Sequence, residues 1–138
     1  TLRTTGPDGN KKWCFYVASS FGRHLVSELN RWYYLVGVWD GANVKLYING
    51  ELDPVVGSYT DTIDTLDAHL FIGSNGGVGD WVDGLIAQPI IEDRVWSEAE
   101  VRENMYRSPI YRMLRGLPYS MIYTKVPWKQ TQGGIYVP

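Results

Sequence analysis

The chain has 138 residues, 44% of them apolar, and a formal net charge of −2, which suits a single globular domain with a buried core. No apolar run is long enough to span a membrane, no CxxC or metal-spaced histidine pair is present, and the lone Cys14 excludes an internal disulfide. The small net charge hides a division: residues 1–103 carry 15 acidic and 8 basic side chains, whereas residues 104–138 carry Arg107, Arg112, Arg115, Lys125 and Lys129 and no acid. An acidic body and a basic tail attract, within one chain or between copies. Five positive charges over so long a tail are too sparse for a nucleic-acid arm. There is no initiator Met and no signal peptide, so the chain is expected to be processed or part of something larger.

In chain order, residues 1–12 are polar around Gly6-Pro7-Asp8-Gly9 and read as a linker or turn. Trp13 to Ala18 reads as a strand, with Cys14 as a small buried hydrophobe, and His24 to Glu28 as a shorter one. Residues 32–50 spell out two strands and two turns. Trp32, Tyr34, Val36 and Val38 share one face, and Tyr33, Leu35 and Trp39 share the other. Asp40-Gly41 supplies the positive φ of a tight hairpin, and Asn49-Gly50 signals a second. Between them Val44, Leu46 and Ile48 alternate with Lys45, Tyr47 and Asn49, the pattern of a half-buried strand.

Glu51 to Val56 reads as a third strand that Pro54 confines to an edge or ends. A polar loop over 57–68 holds Asp61, Asp64 and Asp67. His69 to Gly73 reads as a strand, 74–79 as a Gly-rich loop, and Trp81 to Ile91 as a strand interrupted at Pro89. Ser97-Glu98-Ala99-Glu100 is a capping box that opens a helix. Trp96 is placed to staple onto Val101, Val101 and Met105 share the packed face, and Ser108-Pro109 stops the helix. Residues 109–138, punctuated by Pro109, Pro118, Pro127 and Pro138, read as an extended arm.

This order of pieces resembles the concanavalin A-like lectin/glucanase superfamily in its laminin-G-like jelly-roll branch. The matching residues are Trp32, Val36, Asp40-Gly41, Leu46-Tyr47-Ile48-Asn49-Gly50, Ile72-Gly73, Asp83-Gly84-Leu85-Ile86 and Ser97-Glu98-Ala99-Glu100-Val101, spread over residues 13 to 106. The resemblance implies an all-β, antiparallel β-sandwich (jelly roll), here with one short helix and an extended C-terminal arm. The expected division is residues 1–12 as linker, 13–108 as the jelly-roll domain and 109–138 as the arm. Two departures stand out. The Asp-Glu pair that the family carries after its "G-x-I" is Ala87-Gln88 here, and the family's early strands are not visible. The chain is therefore expected to start partway through the sandwich, the missing strands being supplied by another segment or covered by a partner.

Glucanases of the superfamily set paired carboxylates on one strand face at Glu-x-Asp-x-Glu spacing, because alternate residues of a strand point the same way. No such triplet occurs here, and Glu92-Asp93 are adjacent and face apart. No enzymatic activity is expected. Calcium is the one cofactor the chain suggests: it takes six to eight oxygen ligands, and Asp61, Asp64 and Asp67 are the candidate donors. Sugars stack on aromatic faces and bond to polar neighbours. Trp81, with Asn75 and Asp80 beside it and Tyr59 on the opposing loop, is the candidate glycan site.

In the arm, Tyr111, Leu114, Tyr119, Tyr123, Trp128 and Tyr136 must bury against something for the segment to be ordered, since each ordered residue costs about 1–2 kcal/mol of backbone entropy. They are the candidate assembly residues. The chain is thus expected to be a non-catalytic recognition module of a larger surface or virion-associated protein, located outside the cell, on its surface or in a virion, and binding a glycan or cell-surface ligand. The alternative is a structural virion subunit, a phage capsid or tail component, whose arm interlocks copies or neighbouring subunits.

Overall fold

The computed structural model describes residues 2–5, 12–18, 20–23, 28–62, 71–74, 82–117, 129–130 and 136–137. It comprises two compact units, Thr1–Tyr106 and Arg107–Pro138. In the first unit, β1 (Leu2–Thr5), β2 (Lys12–Val17) and β3 (Ser20–Arg23) form an antiparallel sheet in that order. A second antiparallel sheet holds β4 (Leu35–Trp39), β5 (Asn43–Ile48) and β6 (Glu51–Leu52), with β7 (Gly57–Ser58) also paired to β5. β4 runs along one edge of β5, with Val36 opposite Tyr47 and Trp39 opposite Val44. β6 and β7 therefore share the other edge, β6 against Tyr47–Ile48 and β7 against Asn43–Val44. Pro54 lies between them and cannot donate to the ladder, so the edge strand breaks there.

β5 is the centre of the core. Val44 and Leu46 are fully buried, and Tyr47 and Ile48 nearly so. On one face Val38, Tyr47, Trp96 and Val101 form a buried cluster that Tyr34 and Val36 extend. On the other, Phe15 of β2 lies so close to Gly37 that a Cβ there would sit 2.3 Å from its ring. The half-buried pattern read for this strand is thus corrected, because Trp96 and Val101 cover the face that carries Tyr47.

Both turns of the hairpin form. Asn49 and Gly50 each take positive φ, 53° and 86°, as the Asn-Gly signal requires. At Asp40-Gly41 only Gly41 does, at 90°. α1 (Glu98–Arg107) follows the capping box, with Val101 and Met105 buried as their spacing predicts. Ser97 N–H donates to Glu100 Oε2 (2.8 Å) and Glu100 N–H to Ser97 Oγ (3.3 Å). Met105 and Arg102 pack on the Asn49-Gly50 turn, where Arg102 Nε donates to Gly50 O (3.2 Å).

Several expectations are corrected. Residues 2–5 are a strand, not a linker, paired along β2 from Leu2 opposite Phe15 to Thr5 opposite Lys12. The third strand of the first sheet is Ser20–Arg23; residues 24–27 of the strand read at His24 lie outside the described residues. Gly57–Ser58 is strand, not loop. Residues 71–73 and 82–91 are not in strands. The single helix is two: Ser108-Pro109 ends α1 but also starts α2 (Pro109–Leu114), because the fixed φ and missing N–H of proline suit a first helical turn. Gly116, at φ 63°, closes α2 in a Schellman turn, with Leu117 N–H to Arg112 O (2.8 Å) and Gly116 N–H to Met113 O (3.1 Å). Farther along, β8 (Lys129–Gln130) pairs antiparallel with β9 (Tyr136–Val137). The arm is therefore not simply extended.

The Gly37–Phe15 contact makes a sharp expectation. Gly37→Ala forces the two sheets apart and is expected to lower unfolding free energy by about 1–3 kcal/mol, the usual cost of overpacking. Combined with Phe15→Leu, it is expected to cost less than the two single changes together in a double-mutant cycle of chemical denaturation. Strict additivity would show that the two residues do not meet.

Candidate functional site

Two surfaces of the first unit stand out. The first is the end of the β4–β5 hairpin, where the loop after β7 returns. Asp40 organises the turn with its side chain. Its Oδ1 accepts from the backbone N–H of Asn43 (2.7 Å) and of Ala42 (3.1 Å), and its Oδ2 accepts from Lys45 Nζ (2.7 Å). The ammonium of Lys45, then the Asn43 amide, hold the Asp40 carboxyl well below the usual carboxylate range. With those partners taken, Asp40 is a structural carboxylate. Tyr59 is pinned beside it: its N–H donates to Ala42 O (2.8 Å) and its carbonyl accepts from Trp39 Nε1 (2.9 Å). The Trp39 and Tyr59 rings lie 6.2 Å apart at 55°, both half-buried. The Tyr59 hydroxyl donates to Thr62 O (3.2 Å), and exposed Asp61 accepts from Thr62 N–H (2.8 Å).

Of the residues assigned to sugar binding, Tyr59 is therefore placed on a rigid aromatic platform. Asn75, Asp80 and Trp81 lie outside the described residues, as do Asp64 and Asp67 of the calcium set. Among the described residues, no three His, Cys, Asp or Glu side chains group so as to hold a metal ion. Trp39, read from sequence only as a strand residue, is the missed member of this platform. Its place just before Asp40-Gly41, opposite the loop that begins at Tyr59, is the available signal.

The second surface is the stretch from Val82 to Val95. Val82 N–H donates to Gly73 O (2.9 Å), and among the described residues this is the stretch's one backbone pairing. Gly73 also lies close to Ile86 Cδ1. Neighbouring residues are uncovered on both sides of the extended chain: Leu85 is 80% exposed, Ile86 50%, Ile90 59% and Ile91 71%. Gln88 takes a φ of 52°, which with Pro89 breaks the strand expected here. Phe71 and Ile72, just before Gly73 in the chain, are also exposed.

The far end of the stretch is fixed to α1. Glu92 Oε2 accepts from Trp96 Nε1 (2.7 Å) and Arg94 Nε (2.6 Å), and Arg94 Nη1 reaches Glu100 Oε1 (2.5 Å). The Arg94 guanidinium also lies 5.4 Å from the Trp96 ring centre. The Trp96 N–H, followed by Arg94, depresses the Glu92 pKa. Glu100 falls from 4.5 to about 2, first through the Ser97 amide, then Arg94 and the Ser97 hydroxyl.

Of the arm residues assigned to assembly, Tyr111 and Leu114 lie on α2. Leu114 is exposed, and Arg115 stands over the Tyr111 ring at 5.5 Å. Tyr136 falls in β9, opposite Gln130. Tyr119, Tyr123 and Trp128 lie outside the described residues. Among the described residues, no helix is long and apolar enough to cross a membrane.

A laminin-G-type family model, described as the concanavalin A-like lectin/glucanases superfamily, matches residues 3–102, and the chain belongs to that superfamily. No curated protein and no solved structure matches it. The superfamily contains glucanases as well as lectin-like binding domains, and the match favours neither kind of activity.

The Glu100 network sets a pH dependence. Its folded-state pKa lies below the unfolded value of 4.5, so its contribution is complete above that pH and is lost as pH falls toward about 2. Glu100→Gln is expected to lower stability at neutral pH and to flatten the acid limb of the stability curve across that window, read by denaturant melts at several pH values. An unchanged acid limb would assign the acid sensitivity elsewhere.

Proposed function

We propose that this superfamily member is a non-catalytic module that works by contact with other macromolecules, and that its first role is structural, as a subunit held in a larger assembly on a surface or in a virion. The observation that supports this reading is the exposed apolar stretch of residues 82–95. Side chains such as Leu85 and Ile91 forgo roughly 1.5–3 kcal/mol each when left in water. Leu85, Ile86, Ile90, Ile91, Phe71 and Ile72 are all between 46% and 80% exposed, and clustered apolar exposure of that kind marks an interaction surface. Such a surface is a place where something docks. Light scattering of the intact chain over a wide concentration range is expected to show mass rising with concentration. A strictly monomeric chain would defeat the assembly reading.

A second reading is carried by the Trp39–Tyr59 platform. Two half-buried aromatic rings, held by backbone hydrogen bonds and bordered by exposed Asp61 and Thr62, offer a stacking face with polar groups beside it. In this reading the module recognises a glycan or cell-surface ligand outside the cell. A glycan array probed with the intact chain is expected to give selective signals that Tyr59→Ala abolishes. An array blank for the wild-type chain, or signals indifferent to Tyr59→Ala, would remove the platform from consideration.

A further inference from the structure

We propose that Asn49 is a site of covalent modification by succinimide formation, which the folded Asn49-Gly50 turn holds in check and which lifting of α1 from that turn releases. The chemistry needs only the chain and water. The backbone nitrogen of Gly50 attacks Asn49 Cγ, a C–N bond forms, and the side-chain nitrogen leaves as ammonia. Water then opens the succinimide ring at either carbonyl. One opening gives aspartate. The other gives isoaspartate, in which the main chain runs through the former side chain. Glycine hinders the attack least as the following residue, because it has no Cβ and its backbone turns freely. Among the described asparagines, Asn49 alone precedes a glycine; Asn30, Asn43 and Asn104 precede Arg31, Val44 and Met105.

The turn is built against the first step. Asn49 is exposed, so water reaches it. Its carboxamide, however, is turned across the hairpin: Oδ1 accepts from Tyr34 N–H (3.0 Å), while Asn49 N–H donates to Tyr34 O (2.8 Å). The carbon to be attacked is thereby held toward Tyr34 rather than over the Gly50 nitrogen. Gly50 is buried, and its carbonyl accepts from Arg102 Nε (3.2 Å). A Cβ on it would sit 3.1 Å from Met105 Cε and 3.3 Å from Arg102 Cγ, so α1 lies directly on the residue that must move. Reaction therefore waits on a local opening of α1.

The two products differ in consequence. Aspartate keeps a side-chain oxygen for Tyr34 N–H. Isoaspartate adds an atom to the backbone of the short loop between Ile48 and Glu51, which are paired. The loop no longer closes in register, and Gly50 moves from beneath Met105. Because α1 carries Val101 into the cluster with Tyr47 and Val38, the change loosens one cover of β5 as well. The site is thus a slow covalent switch on the docking of α1.

Peptide mapping of the intact chain after incubation at mildly alkaline pH, with aspartate and isoaspartate separated by chromatography, tests this. Asn49 is expected to convert at least about tenfold more slowly in the folded chain than in the same chain in denaturant. Arg102→Ala, at an exposed position, is expected to leave circular dichroism unchanged. It is expected to raise the folded-chain rate several-fold at Asn49 but not at Asn75-Gly76, the other Asn-Gly of the sequence. The purified isoaspartate form is expected to melt below the wild type, and Asn49→Asp close to it. Equal rates in the folded and unfolded chain overturn the guard, and no conversion at Asn49 in the unfolded chain overturns the site. A rate at Asn49 that Arg102→Ala leaves unchanged, or raises equally at Asn75, shows that α1 is not what holds the turn. An isoaspartate form as stable as Asn49→Asp overturns the switch.

Discussion

The burial of β5 on both faces is the constraint on which the first unit depends. A strand covered on one side needs one apolar face, whereas a strand covered on both needs two partners brought to it from distant sequence. Here one partner is β2, whose Phe15 ring rests where Gly37 has no side chain. The other is Trp96 with Val101 of α1, which together cover Tyr47 and Val38. Neither partner is near β5 in the chain, so each is held by a separate device. The capping box and the Arg94 network orient Trp96 and start α1. The Asn49-Gly50 turn, whose backbone takes a conformation that leaves no room for a side chain beneath Met105, receives the helix from the other side. Loss of any of these would uncover a face of the same strand.

That arrangement also explains where the surfaces of interest fall. The β4–β5 pair is long and well tied, so its far end can carry a loop with defined geometry. Asp40 spends its hydrogen-bonding capacity on the turn, and the Trp39 indole N–H, donating to Tyr59 O, joins the Tyr59 N–H bond to Ala42 O in tying the two segments together. The platform is rigid because its polar atoms are already engaged, which leaves ring faces and the exposed Asp61 and Thr62 for an outside molecule. The stretch from Val82 to Val95 has the opposite character. It is tied at both ends, by Val82 to Gly73 and by Glu92 to Trp96, and its apolar side chains between those ties find no cover.

Much of the first unit was legible in the sequence because its signals are local. Alternation from Val36 to Ile48 marks two strands, Asn49-Gly50 marks a turn, and Ser97 with Glu100 marks a helix start; each needs only residues a few positions apart. The readings that failed depended on distant partners or on residues with two uses. Nothing local shows that Tyr47 will be covered by Trp96, nearly fifty positions on. Leu2–Thr5 is strand because β2 pairs with it, despite a sequence with little alternation of its own. Pro109 was read as a stop, although the fixed φ that ends one helix equally begins the next. Tyr59 stands out by its place in a loop, whereas its companion Trp39 stands in a strand, where a tryptophan ordinarily belongs to the core.

The stretch from Val82 to Val95 shows most plainly why composition alone misleads. Leu85, Ile86, Ile90 and Ile91 have the makeup of a buried strand, and in a closed sandwich they would pair on both edges and face an opposing sheet. Gln88 in a left-handed conformation followed by Pro89 interrupts the ladder in the middle: one residue turns the chain, and the next lacks the donor that would continue it. The apolar side chains on either side of that break then remain outside. A sequence under no other demand would replace them with polar residues, since exposed apolar strands invite aggregation. Left in water, those side chains forgo the burial that a packed strand would give them.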